Sequence, residues 1–108
     1  MDFKGRNIIS SLDFTREEVD HLLDTAVEIE KNKEKYAKIA EGKILATLFF
    51  EPSTRTRLSF ETSILRLGGN YIGFSSEDAS STKKGETIAD TIKTISNYAD
   101  LIVMRHSL

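Results

Sequence analysis

Apolar residues fall into two rhythms along the chain. Val19, Leu22, Leu23 and Ala26 recur at i, i+3, i+4 and i+7, which places them on one face of a helix. Thr15 and Glu18 stand three apart just before them, the spacing of a capping box. Lys31, Lys33 and Lys35 come late, where the helix dipole favours cations. The pattern predicts an amphipathic helix covering a core, continued by a solvated helical face over Glu28 to Lys35. Gly42 ends it, and Ile44 to Phe50 is apolar almost without break, as in a strand buried on both faces of a parallel sheet.

Helical composition resumes at Thr54 and runs to about Leu67, where Gly68 and Gly69 supply a stop. Asn70 to Phe74 is short, aromatic and β-branched and predicts a second strand. The polar segment Ser75 to Gly85 is long for a connection between strand and helix. By composition it suits a surface linker as well as a functional loop. From Glu86 a further helix places Ile88, Ala89, Ile92, Ile95 and Ala99 on one stripe, and Leu101 to Met104 predicts a third buried strand.

Strand, helix, strand, helix, strand is the order of an α/β fold, a parallel sheet with flanking helices. Ligands of such sheets gather outside the carboxyl ends of the strands. Three segments reach that edge: Glu51 to Arg57, Ser75 to Gly85, and Arg105 with His106.

The first of these carries the densest chemistry. Ser53, a favoured N-cap residue, opens the helix after Glu51 and Pro52. The first N–H groups of a helix lack intrahelical acceptors and, with the dipole, stabilise an anion. Ser53, Thr54 and Thr56 add hydroxyls, and Arg55 adds a planar fork suited to two phosphate oxygens. Arg57 lies about 200° round the helix from Arg55, so it faces elsewhere, with Glu61 in i,i+4 reach. A polar helix start with two solvated arginines has the same composition.

Composition narrows the classes. With 108 residues the chain fits one domain. Fifteen basic and seventeen acidic residues leave a net charge of −2, without a block that would suit nucleic acid or an anionic membrane. Cysteine is absent, which excludes disulfides and thiolate chemistry. His21 and His106 are too far apart for a local metal motif. No stretch approaches the ~20 apolar residues of a bilayer span, and none at the N-terminus has signal-peptide character, so a cytoplasmic protein is expected. Walker A, dinucleotide and nucleophile-elbow motifs are missing.

Phe49 to Glu61, FFEPSTRTRLSFE, resembles the carbamoyl phosphate signature of the aspartate and ornithine carbamoyltransferases, and RLGG, KKGETIADT and IVMRH extend the likeness from about Lys43 onward. The resemblance implies that residues 1–108 are part of a carbamoyl phosphate-binding domain, with the amino-acid-binding domain absent from this chain. It implies contacts with carbamoyl phosphate from Ser53, Thr54, Arg55, Thr56 and Arg105, and from Ser80 and Lys84 on a loop, 75–85, that enters the neighbouring subunit of a homotrimer. Glu51 would couple the two domains, and His106 would be structural.

Amine attack on carbamoyl phosphate needs positioning and polarisation more than covalent catalysis. Arg105 and Thr56 suit the carbonyl oxygen, Ser53, Thr54 and Arg55 the departing phosphate, and Arg55, Thr56, Arg105 and Lys84 are the candidate catalytic residues. Neither metal nor other cofactor is required.

The partners implied are carbamoyl phosphate and L-aspartate, with regulatory chains as a further possibility. Pro52 stands where the ornithine relatives typically carry lysine, and the KKGE loop resembles the aspartate branch. The expected reaction of the parent enzyme is therefore carbamoyl transfer to L-aspartate in pyrimidine synthesis. An ornithine or other amino-acid carbamoyltransferase is the alternative, as is a non-catalytic phosphate-ligand-binding or assembly module for these 108 residues alone.

Overall fold

The computed structural model describes residues 2–75 and 87–106. Two units divide the chain, Met1–Tyr36 and Ala37–Leu108.

The first unit holds a 3-10 turn, Ser11–Asp13, followed by helices α1, Arg16–Lys31, and α2, Lys33–Tyr36. The capping box forms in full: the Glu18 N–H donates to Thr15 Oγ1 at 3.1 Å and the Thr15 N–H to Glu18 Oε1 at 2.9 Å. Arg6 pairs with the same carboxylate and donates to the Asp13 carbonyl at 2.7 Å. Its guanidinium also lies 4.4 Å from the centre of the Phe14 ring, within cation–π range.

One expectation fails in this unit. Instead of covering a core, α1 buries no residue. The solvated helical face over Glu28 to Lys35 forms with one interruption, where Asn32 leaves helical geometry at φ −130° and its amide donates back to the Glu28 carbonyl at 2.9 Å before α2 resumes the helix. A side chain that competes for backbone partners in this way ends a helix locally. His21 is exposed on α1 and stacks on Phe3.

In the second unit β1, Ile44–Phe49, is the middle of a three-stranded parallel sheet. It pairs with β2, Asn70–Phe74, on one side and β3, Leu101–Arg105, on the other. Helix α3, Thr54–Arg66, links β1 to β2, and α4, Ile88–Ser96, precedes β3. Leu45 to Phe49 are all buried, together with Ile64 of α3. The continuous apolar run is explained by this central place, since both neighbours and both faces exclude water.

β3 does not bear out the expectation of a buried strand. Among the described residues it is an edge, paired with β1 alone, and Leu101 and Met104 are about half exposed. Helix α4 begins at Ile88, with Thr87 Oγ1 accepting from the Asp90 N–H. It ends at Ser96, so Ala99 lies beyond the expected stripe.

Helix α3 closes in a Schellman arrangement. Gly69 N–H reaches the Ile64 carbonyl and Gly68 N–H the Leu65 carbonyl. Gly68 takes φ +92°, and a Cβ there would lie 2.7 Å from the Ala37 carbonyl oxygen. Among the described residues, no helix is long and apolar enough to cross a membrane.

Candidate phosphate site at the carboxyl edge of the sheet

Sheet order β2-β1-β3 sends the chain to one side of β1 and then to the other. The connections therefore diverge at the carboxyl ends of β1 and β3, the switch point where open α/β sheets bind ligands. Glu51 and Ser53 follow β1, and Arg105 ends β3. The Phe50 N–H donates to the Arg105 carbonyl at 2.9 Å, so backbone pairing continues to the rim of the site. At the opposite end of the same strands, the Ile44 N–H donates to the Asp100 side chain at 2.9 Å.

Arg105 crosses the gap between the strands. Its Nε donates to Glu51 Oε1 at 2.7 Å and its Nη1 to Ser53 Oγ at 2.6 Å. A guanidinium has five N–H donors, and among the described residues two are engaged. Glu51 thus holds the cation in place.

Ser53 occupies the N-cap position of α3, but its side chain caps no helix N–H. Its hydroxyl accepts from Arg105 instead, and the first helix N–H groups stay open toward the edge. Thr54 and Arg55 are exposed, and Thr56 is half-buried. Arg55 makes no hydrogen bond or ion pair among the described residues. Arg57 turns to the other side and pairs with Glu61 at 3.5 Å. The two arginines are thereby divided, one held inward and one left for solvent or ligand.

Phe50 backs this edge. Its ring meets Phe74 edge-on, with centroids 5.2 Å apart, and lies equally close to the His106 ring. His106 thus packs on an aromatic residue at the end of the central strand. Ser80 and Lys84, the loop residues implicated by resemblance, lie outside the described residues.

Sequence reasoning missed two contacts. One is the bridge from Arg105 to Ser53, which joins residues 52 positions apart. The other is the bond from Thr47 to Glu61, 2.9 Å and buried. A lone hydroxyl residue inside an otherwise apolar central strand was the available signal, because such a group needs a partner.

The arrangement defines an open parallel α/β domain whose helix start and Arg105 gather donors at the sheet edge. The chain belongs to the aspartate/ornithine carbamoyltransferase family: residues 6–107 match its carbamoyl-P binding domain. It is 56% identical over 110 residues to the aspartate carbamoyltransferase catalytic subunit of Thermococcus onnurineus, a match covering all of this chain and 36% of that protein. With the corresponding subunit of Finegoldia magna the identity is 57% over 103 residues, covering 95% and 34%.

Among solved structures, the catalytic subunit of M. jannaschii aspartate transcarbamoylase superposes with a TM-score of 0.86 at 50% identity, over 95% of this chain and 34% of that one. The Trypanosoma cruzi aspartate transcarbamoylase in complex with carbamoyl phosphate and aspartate gives 0.86 at 40% identity, over 96% and 35%. The chain spans about a third of the length of the curated relatives it matches.

Proposed function

We propose that residues 1–108 are part of the carbamoyl phosphate-binding domain of an aspartate carbamoyltransferase catalytic chain. The observation that carries this reading is the placement of Arg105 beside the open start of α3, bonded to Ser53 and steadied by Glu51. In the parent enzyme the amine of L-aspartate attacks the carbonyl carbon of carbamoyl phosphate, the carbon–oxygen bond to phosphate breaks, and N-carbamoyl-L-aspartate and phosphate leave. Pyrimidine synthesis is the setting.

The roles are those the family resemblance implies, supported at Ser53 and Arg105 by their contact. Ser53, Thr54, Arg55 and the helix N–H groups take the phosphate, whose charge rises as the bond breaks. Thr56 and Arg105 polarise the carbonyl oxygen. Ser80 and Lys84 complete the site from a neighbouring subunit of a homotrimer, Glu51 couples the domains, and no metal ion takes part. A cytoplasmic location belongs to the same reading, and regulatory chains are candidate partners.

Calorimetric titration with carbamoyl phosphate or a stable phosphonate mimic tests it. Binding by the wild-type chain, abolished in Arg55→Ala with the fold intact by circular dichroism, is the expected result. Retained binding in the variant would remove Arg55 from the site. Light scattering on the same samples reads the mass expected of a trimer.

A second reading rests on the open apolar surface of β3: these residues serve as a binding and assembly module without turnover. Binding of carbamoyl phosphate with no product from aspartate would favour it for this chain. Product formation from ornithine by a longer parent would instead change the acceptor.

A further inference from the structure

Glu61 is 7% exposed and Thr47 fully buried. A buried carboxylate is tolerated only when it is paired and hydrogen-bonded. Thr47 Oγ1 donates to Glu61 Oε2 at 2.9 Å, and Arg57 Nε stands 3.5 Å from the same oxygen. A hydroxyl has one proton, so the shorter contact to Glu61 takes it in preference to the Ile72 carbonyl at 3.5 Å. Gly73 is the β2 partner of Thr47, and a Cβ on it would lie 2.2 Å from the Thr47 carbonyl oxygen and 2.3 Å from its Oγ1. The bare glycine makes room for both the backbone and the hydroxyl of Thr47.

The cluster therefore keys α3 to the centre of the sheet through one directional bond. Apolar residues of similar volume would fill the same space, often without loss of stability. They would not fix the rotation of the helix. Rotation matters here because Arg55 and Arg57 lie about 200° apart around α3. Drawing Arg57 inward leaves Arg55 exposed on the first turn of the helix, two residues after Ser53, the partner of Arg105.

We propose that Glu61, oriented by Thr47, is a positioning residue for phosphate recognition: it sets the rotation of α3, sequesters Arg57, and so presents Arg55 and the open helix N–H groups to the ligand. This rests on reading the start of α3 as the phosphate site. The two ideas separate experimentally, because the helix can be observed without ligand.

The test compares Thr47→Val, which removes the hydroxyl at nearly constant volume, with Thr47→Ser, which restores it, and Ile64→Val, which trims a buried residue of the same helix. The first readout is hydrogen exchange at the Arg57 amide, whose N–H bonds the Ser53 carbonyl, relative to the amides of β1. The second is titration with inorganic phosphate and with the phosphonate mimic.

Thr47→Val is expected to speed exchange at Arg57 about tenfold relative to β1 and to weaken ligand binding about tenfold, the scale of one hydrogen bond to a charged group. Thr47→Ser should return both to near wild type. Ile64→Val should leave the ratio and the affinity unchanged. If Thr47→Val behaves as Ile64→Val does, the cluster is packing alone and the proposal falls. If the wild-type chain takes no ligand, the proposed site fails while the exchange ratio still decides whether Thr47 and Glu61 hold α3.

Discussion

The two units of this chain hold their structure by different means. Up to Tyr36 no helix buries a residue, and order comes from a capping box, an ion pair and stacked rings. From Ala37 on, a strand with five consecutive buried residues sits between two parallel neighbours. Polar bonds near water are individually worth little, whereas buried apolar area accumulates. The candidate site grows from the second kind of structure, and its donors are aimed by elements that the core fixes.

The widest test of this contrast is a cavity. Leu48→Ala removes a fully buried side chain from β1 and should cost about 3 kcal/mol of stability, by analogy with measured core truncations. The urea midpoint of the sheet unit, followed at β1 amides, reads it. A loss below about 1 kcal/mol, within reach of a lone cap, would erase the distinction between the units.

Gly68→Ala probes the same unit through the backbone. Its φ of +92° disfavours a side chain, and the new Cβ would press on the Ala37 carbonyl oxygen and Lys38 Cα at 2.7 and 2.9 Å. The expected loss is about 2 kcal/mol, with strain and overpacking together. An unchanged midpoint would mean that the segment before β1 yields freely to the helix end.

Much of this was legible in the sequence wherever a local rule dominates. Asn70–Phe74 is the predicted second strand, α3 starts at Thr54 after Ser53, and Thr15 and Glu18 form the capping box. Each signal sits within a few residues of the structure it specifies. The order of strands is a different matter, because parallel neighbours are joined through helices and pairing leaves no local mark. β3 carries the apolar composition of a buried strand yet lies at an edge among the described residues.

At the site the same division holds. A polar helix start after a buried strand was readable, and so was the pairing of Arg57 with Glu61 at helical spacing. That Ser53 turns its hydroxyl to Arg105 instead of its own helix was not, since the competing donor arrives 52 residues later. Nor was the hold of Thr47 on Glu61, which only the packing of α3 against β1 creates.

In the first unit the largest single contribution should be the cap. Thr15→Ala deletes the acceptor of the Glu18 N–H and should cost about 1 kcal/mol of helix stability. Amide exchange in the first turn of α1 measures this directly. A loss as large as that from Leu48→Ala would show that capping governs this unit as burial governs the sheet, and would sharpen the contrast from the other side.

The smallest effect should be the dependence of α1 on pH. The Thr15 N–H, and then Arg6, hold the Glu18 carboxyl below the usual glutamate range. A carboxylate with a depressed pKa stabilises the folded form above its unfolded value, and the contribution disappears as pH falls through the folded one. Glu18→Gln removes this titration. Helicity of α1 by circular dichroism, compared between wild type and Glu18→Gln, should therefore differ by a constant amount near neutral pH. The difference should then shrink as acid protonates Glu18. A gap that persists after protonation would mean that Glu18 acts through packing and shape, and the first unit would then resemble the second more than its exposed surface suggests.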